Sequence, residues 1–202
     1  PGGGVCGEIF KRANIVDLMI ACSYIKRPLP DGSAVLTKAC QIKNARFIIH
    51  AVGPDFSEKP TAFKELFDAY YNSLCVLKEY LLHSISFPLI SSGIYGGDLE
   101  NPVAESVKQC VLAYKKFISD YPDYQIDVKV CAYSPESMKE AKPVFAVVEP
   151  ASVPLQPSGT SRKMILVGIV FLAVAGAAAW ILFGQDLWKN LKNGLNEKKE
   201  EK

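Results

Sequence analysis

Several signatures of common catalytic and metal sites are missing from this sequence of 202 residues. Its six cysteines form no C-x-x-C pair, which argues against a zinc site. It has only two histidines and no G-x-S-x-G motif, so a Ser-His-Asp triad is poorly supported. No Walker phosphate loop occurs, because no glycine loop continues into Gly-Lys-Ser/Thr. A formal net charge of +2 does not suggest a strongly basic nucleic-acid binder.

The composition is that of a folded protein. Apolar residues make up 49% of the chain and charged residues 22%, which excludes a disordered chain. The length suits one ordinary domain with additional segments. The chain begins with Pro1 and not with Met, so we expect a fragment or a processed product. No signal peptide opens it, although a lost N-terminal segment could have carried one. An even number of cysteines is compatible with disulfides, but we expect six buried free thiols, which favours a reducing compartment.

One stretch, 164–184, contains no ionisable side chain. As a helix at about 1.5 Å per residue it would extend roughly 31 Å, close to the hydrocarbon thickness of a bilayer. It therefore predicts a transmembrane helix, with a buried core helix as the alternative. A Pro- and Ser-rich linker at 147–163 precedes it and a polar, charged tail at 185–202 follows. We expect a single-pass membrane protein whose folded domain lies in the cytoplasm.

Residues 1–146 alternate between helical and strand patterns. The patterns predict strands at 33–37, 46–52, 84–90 and 126–132, and helices at 5–13, 14–25, 61–82, from Asn101 and from Ser134. This alternation predicts a three-layer α/β domain with a mostly parallel central sheet. Such sheets bind ligands beyond the carboxyl ends of their strands.

Three segments are candidates for ligand contact at that edge. The first, Ser91-Ser92-Gly93-Ile94-Tyr95-Gly96-Gly97, has hydroxyls and backbone N–H groups that can cradle a diphosphate, or it is an ordinary turn. Tyr133 ends a strand at the same edge, where its aromatic ring would either stack on a nucleobase or pack against the protein. Gly2-Gly3-Gly4-Val5 leads into a helix, so its backbone can approach an anion closely, unless it is a flexible end.

Other reactive side chains carry weaker signals. His50 lies in an apolar strand, where we expect it to pack or to form a hydrogen bond. Cys6 follows the glycine run near a helix N-terminus, but a packing role is the simpler interpretation. The loop carboxylates, such as Asp55 and Asp98, have no spacing typical of a catalytic pair. We assign no catalytic residue, no metal and no cofactor.

Three stretches together resemble the macro domain family of ADP-ribose binders. They are Gly2-Gly3-Gly4-Val5-Cys6-Gly7-Glu8-Ile9-Phe10, Phe47-Ile48-Ile49-His50-Ala51-Val52-Gly53-Pro54, and Phe87-Pro88-Leu89-Ile90-Ser91-Ser92-Gly93-Ile94-Tyr95-Gly96. The resemblance covers about residues 1–146 and is strongest to bacterial members near the deacetylase and ADP-ribosylhydrolase branch. It implies that residues 1–146 form a macro domain that lacks its first strands.

The resemblance also implies roles for individual residues. The segment Gly2 to Val5 would lie along the distal ribose and a phosphate, Ser91 to Tyr95 would wrap the diphosphate, and Tyr133 would stack on adenine. The family's upstream strands usually supply an Asp that reads adenine and an Asn-rich segment at the ribose. Many hydrolytic members carry an Asp where this chain has Cys6. We therefore expect a chain that starts at Pro1 to bind ADP-ribose weakly or not at all, and a chain that carries those strands to bind it.

Two functions are left open by these residues. One is an enzyme that hydrolyses ADP-ribosyl or O-acetyl-ADP-ribose esters. The other is a non-catalytic reader of ADP-ribosylated targets at the membrane. The expected partners are ADP-ribose or an ADP-ribosylated protein and a lipid bilayer, and no nucleic acid.

Overall fold

The computed structural model describes residues 3–148, 163–174 and 177–182. The helices in these ranges are α1 (Gly4–Ala13), α2 (Ile15–Ser23), α3 (Phe63–Glu79), α4 (Pro102–Asp120) and α5 (Pro135–Val148). The strands are β1 (Ala34–Lys38), β2 (Phe47–Ala51), β3 (Ser84–Pro88), β4 (Asp127–Ala132), β5 (Lys163–Val174) and β6 (Ala177–Leu182). The chain divides into two units, one of Pro1–His83 with Ile90–Tyr124, and one of Ser84–Leu89 with Gln125–Lys202.

In the first unit, helices α1 and α2 follow each other almost without a break. Asn14 separates them with a positive φ of 69°, a conformation that asparagine tolerates better than most residues. Its side-chain oxygen accepts a hydrogen bond from the Val16 amide at 3.1 Å and so caps α2. Ala13, Leu18 and Cys22 are buried and form a small core between these helices and their neighbours.

Helices α3 and α4 form the main core of the first unit. Each buries a stripe at three- and four-residue spacing, as an amphipathic helix does. The α3 stripe is Leu66, Ala69, Tyr70, Ser73, Leu74 and Leu77. The α4 stripe includes Val103, Ser106, Val107, Cys110, Val111, Ala113, Tyr114 and Phe117. Two of these buried residues, Tyr70 and Ser106, carry hydroxyl groups that matter for the candidate site.

Strands β1 and β2 pair antiparallel, with Ala34 opposite Ala51 and Lys38 opposite Phe47. Helix α3 packs against both strands. In the second unit, β3 and β4 are parallel, β4 and β5 are parallel, and β5 and β6 are antiparallel, in the spatial order β3-β4-β5-β6. Helix α5 packs against β4 and β5.

The helices and strands predicted within 1–146 are confirmed, with ends that move by a few residues. The sheet arrangement is only partly as predicted. The second unit has a mostly parallel sheet, but β1 and β2 form a separate antiparallel pair. The eight-residue connection 39–46 is too short for the helical crossover that parallel neighbours need.

The predicted transmembrane helix at 164–184 is wrong for the part of this segment that the structure describes. Residues 163–174 form β5, parallel to β4, and 177–182 form β6. Long apolar runs also suit strands buried in a parallel sheet, and β-branched residues such as Ile165, Val167 and Ile169 favour extended backbone. Among the described helices, none is both long and apolar enough to cross a bilayer. Most of the linker, 149–162, and the tail, 185–202, lie outside the described residues.

Candidate functional site

The glycine-rich loop Ser91–Gly97 lies between β3 and α4 in the chain and belongs to the first unit. Its residues Ile94–Gly96 form a single 3₁₀ turn, closed by a hydrogen bond from the Gly96 amide to the Gly93 carbonyl at 2.8 Å. Helix α4 then begins at Pro102 and is capped by Asn101, whose side chain accepts from the Ala104 amide at 2.8 Å. The loop is therefore bounded by a helix with a well-defined start.

A ring of three hydrogen bonds fixes the residue just before this loop. The Ile90 amide donates to Tyr70 Oη at 2.8 Å, and Ser106 Oγ donates to the Ile90 carbonyl at 2.7 Å. Because the Ser106 proton is used there, Tyr70 donates to Ser106 across their 2.7 Å separation. Burial holds the pKa of Tyr70 well above its usual value of 10, so this hydroxyl keeps its proton.

The start of the loop is held against the segment after β2. Ser91 has a positive φ of 53° and donates its hydroxyl to the Pro54 carbonyl at 2.7 Å. This contact depends on Gly53, since a Cβ there would lie 2.4 Å from both Ile90 Cγ2 and Ser91 Oγ. Further along, the Phe56 amide donates to the Tyr95 carbonyl at 3.0 Å. The two segments thus brace each other.

The glycines of the loop differ in what surrounds them. A Cβ on Gly96 would lie 2.7 Å from Pro102 Cβ, and a Cβ on Gly97, whose φ is +54°, would lie 2.5 Å from the Ser57 amide nitrogen. A Cβ on Gly93 would meet nothing within 4 Å in the described structure. Ile94 is 92% exposed. The loop therefore has one side packed against the protein and one side open to a ligand.

The first glycine run also opens onto free space. Gly2 lies outside the described residues, whereas Gly3 is the N-cap of α1 and Gly4 begins the helix with a φ of +60°. A Cβ on Gly3 or Gly4 would meet nothing within 4 Å in the described structure, so these glycines are not required for packing. Val5 is half-buried and Cys6 is exposed. The exposure of Cys6 contradicts the packing role predicted for it.

Tyr133 directly follows β4, as predicted, and is 52% exposed. It belongs to the second unit, whereas Gly3–Val5 and Ser91–Gly97 belong to the first. Its predicted stacking on a nucleobase stays a prediction.

His50 forms the hydrogen bond expected of a histidine inside a strand. Its Nε2 lies 2.8 Å from Thr37 Oγ1 on the paired strand and 3.8 Å from Cys22 Sγ. Burial, followed by the positive charge of Arg27, lowers the pKa of His50 below 6.5. The histidine is therefore neutral at pH 7 and has a structural role.

Two features of the loop's surroundings were not predicted from the sequence. Ser106 is a polar residue within the apolar stripe of α4, and this position was the available signal for a buried hydrogen-bond network. Gly53 comes directly after the strand predicted at 46–52, which was the signal for close approach of another segment. In the described part of the chain, no three His, Cys, Asp or Glu side chains come together as metal ligands would.

Comparison with known proteins shows which family and which folds this chain resembles. A family model described as "Macro domain" matches residues 1–106. An uncharacterized protein of Fusobacterium nucleatum is 40% identical over 122 residues, which are 60% of this chain and 66% of that protein. The matches to the first three curated relatives span 66%, 24% and 62% of those proteins, so less than two thirds of each.

Two solved structures show bound nucleotides in proteins with a similar fold. The Oceanobacillus iheyensis macrodomain with ADP has a TM-score of 0.64 and 31% identity, and the match covers 73% of this chain and 77% of that one. The Trypanosoma brucei macrodomain in complex with ADP-ribose has a TM-score of 0.60 and 25% identity, covering 70% of this chain and 56% of that one.

Proposed function

Since the chain belongs to the macro domain family, we propose that it binds ADP-ribose or its derivatives, with the loop Ser91–Gly97 around the diphosphate. The solved structures of the Oceanobacillus iheyensis macrodomain with ADP and of the Trypanosoma brucei macrodomain with ADP-ribose support this choice of ligand. One observation carries the proposal: one side of the loop is packed against the protein and the other side is open. Its packed side is fixed by Tyr70, Ser106 and Pro54, while the backbone at Gly93 faces open space.

This arrangement suits a diphosphate for a physical reason. The loop itself contains no Lys or Arg, so a phosphate there would be held by backbone N–H groups and hydroxyls. Neutral donors bind an anion well only when they are already oriented, because otherwise binding must also pay for ordering the loop. The hydrogen bonds at Ile90, Ser91 and Tyr95 supply that orientation before the ligand arrives. The exposed backbone of Gly3 and Gly4 at the start of α1 offers a second group of anion-binding amides.

Calorimetric titration with ADP-ribose tests the proposal. A Gly93→Glu variant places a carboxylate and added bulk on the open side of the loop, so we expect it to abolish binding through repulsion of the diphosphate. The fold should tolerate the change, because a Cβ on Gly93 would lie more than 4 Å from the neighbouring atoms that the structure describes. Asn44→Glu, which adds the same charge at an exposed position, is the matched control and should bind like the parent. Equal binding by the parent and the Gly93→Glu variant would contradict the proposal.

A non-catalytic reader is the second candidate, and Cys6 favours it. This exposed residue stands where the family resemblance places an Asp in many hydrolytic members. A thiol in place of a carboxylate removes one candidate for activating water. Release of labelled ADP-ribose from a modified acceptor protein separates the two functions. Binding of the modified acceptor without release supports the reader, and release at a rate above the uncatalysed background supports the hydrolase.

A further inference from the structure

Helix α2 carries apolar side chains on its buried side and also on the side that is exposed to solvent. Leu18 and Cys22 are buried, as expected for the inner face of a packed helix. The outer side is mostly apolar as well, with Asp17 and Ser23 as its polar residues. The exposed fractions of its apolar side chains are 43% for Ile15, 63% for Val16, 51% for Met19, 54% for Ile20 and 86% for Tyr24, which is the C-cap. Exposed apolar side chains that are contiguous mark an interaction surface more often than isolated ones do.

A groove continues this apolar surface towards β1. It has a volume of about 650 Å³, and Ile20, Ala21, Tyr24 and Leu36 contribute its apolar lining. Lys38 and Asp17 lie at the same groove, where Asp17 accepts a hydrogen bond from Gln41 at 2.9 Å. We call the exposed side chains Ile15, Val16, Met19, Ile20 and Tyr24 the α2 patch.

Positive charge flanks the α2 patch in the sequence, and Lys38 lies at the adjoining groove. Residues 8–46 contain three acidic side chains and seven basic ones, all exposed: Lys11, Arg12, Lys26, Arg27, Lys38, Lys43 and Arg46. The first two lie in the last turn of α1, directly before α2, and the next two follow the end of α2. Two of the acids are already paired, Glu8 with Lys11 and Asp31 with Lys59. None of the ion pairs in the described ranges involves Lys26, Arg27 or Lys38.

We propose that the α2 patch is a docking surface for an anionic lipid bilayer. Apolar side chains that project from a helix lying along a membrane insert into the boundary between headgroups and acyl chains. Tyr24 suits the headgroup level, and flanking lysines and arginines contact acidic headgroups. A second copy of this chain is the less favourable occupant, because it would bring two clusters of like charge together.

This docking is independent of ADP-ribose binding and of residues 164–184. It is therefore tested with a probe that reports on α2 alone. An environment-sensitive fluorescent amino acid replaces Val16 in the full chain, and the same amino acid replaces Leu112, an exposed residue of α4, as the control. Both proteins are mixed with vesicles of phosphatidylcholine containing phosphatidylglycerol. We expect a blue shift and quenching by brominated lipid at position 16, and neither at position 112.

Two double variants test whether the α2 patch and the basic residues after it cause the binding to vesicles. Met19→Glu with Ile20→Glu should remove the blue shift, and both positions are exposed enough to tolerate the change. Lys26→Glu with Arg27→Glu should weaken binding to these vesicles by about tenfold or more, and added salt should do the same. Lys139→Glu with Lys142→Glu makes the same charge change on α5 and should have little effect.

Three results would overturn the proposal. The first is the absence of a blue shift at position 16 with the anionic vesicles. The second is equal binding to vesicles of pure phosphatidylcholine, because the basic residues would then contribute nothing. The third is a dimer in sedimentation experiments that the Met19→Glu, Ile20→Glu variant dissociates, with no effect on lipid binding, which would identify the patch as a contact between two copies of the chain.

Discussion

The hydroxyl groups of Tyr70 on α3 and Ser106 on α4 lie 2.7 Å apart, and both residues are fully buried. Together they bind the amide and the carbonyl of Ile90, so the backbone that enters the glycine-rich loop is fixed from both sides. The same two helices supply the core of the first unit. The core and the loop are therefore coupled: a change that disturbs this contact also disturbs the candidate diphosphate site.

Removing one hydroxyl of this network should destabilise the protein measurably. Tyr70→Phe leaves the Ile90 amide without its acceptor and Ser106 without its donor, so we expect the free energy of unfolding to fall by about 1–3 kcal/mol. Urea denaturation measures this loss. The control is Tyr71→Phe, which removes a hydrogen bond to the exposed Asp120 at 2.5 Å and should cost less. Equal losses of stability in the two variants would contradict a special contribution of the buried hydrogen-bond network.

A double-mutant cycle tests whether the two hydroxyls act together. Ser106→Ala should destabilise the chain by a similar amount, because it leaves the Ile90 carbonyl and the Tyr70 hydroxyl without partners. Since Tyr70 and Ser106 share one network, we expect the double variant to lose less stability than the sum of the single losses. Additive losses would show that the two residues act independently.

The three glycines of the loop should respond very differently to alanine. Gly97→Ala forces a side chain into a positive φ and within 2.5 Å of the Ser57 nitrogen, and we expect a loss of about 1–3 kcal/mol in thermal or urea unfolding. Gly96→Ala should also destabilise, through its contact with Pro102. Gly93→Ala should be nearly neutral. A large destabilisation by Gly93→Ala would show that this side of the loop is packed.

His50 should make stability depend on pH in a defined direction. Its pKa in the folded chain lies below the 6.5 of an ordinary histidine, so the unfolded chain binds more protons between these two values. The stability contribution is complete above about pH 6.5 and is lost as the pH falls towards the lower folded value. His50→Gln should flatten this slope in urea titrations at several pH values. The control Asn44→Gln, at an exposed position without a titratable side chain, should keep the slope.

Alkylation should sort the six cysteines by exposure. Cys6 and Cys40 are exposed and should react first with a thiol reagent, as read by mass spectrometry. Burial raises the pKa of Cys131 to about 11 and that of Cys110 further, so both thiols should react only when the chain unfolds. Rapid labelling of Cys110 in the folded protein would contradict the packing of α4.

The helices and strands of residues 3–148 could be predicted because each carries a local signal. The apolar spacing on α3 and α4, the cap at Asn101 and the alternation in β3 all act over a few residues. The loop Ser91–Gly97 was also predictable, since glycines after a strand and before a capped helix form a local pattern. The antiparallel pairing of β1 and β2 was not predicted, because pairing depends on tertiary contacts rather than on composition.

The long-range parts of the site had no local signature. The contacts of Tyr70 with Ser106 and of Gly53 with Ser91 join residues more than 30 positions apart, and the sequence shows only one polar or small residue at each place. The segment 164–184 is the opposite case, because its local signal is strong but fits two different structures. A long apolar run is typical of a membrane helix, but strands buried in a parallel sheet are also continuously apolar, so hydropathy alone does not choose between them.

Backbone amide NMR during titration with ADP-ribose tests the central claim most directly, because it reports on the loop residue by residue. The account predicts that the amides of Ser91 to Gly97 shift most among those of the first unit, together with those near Gly3 and Gly4, and that Gly93→Glu abolishes the shifts. Saturable binding that leaves the amides of Ser91 to Gly97 unmoved would contradict it.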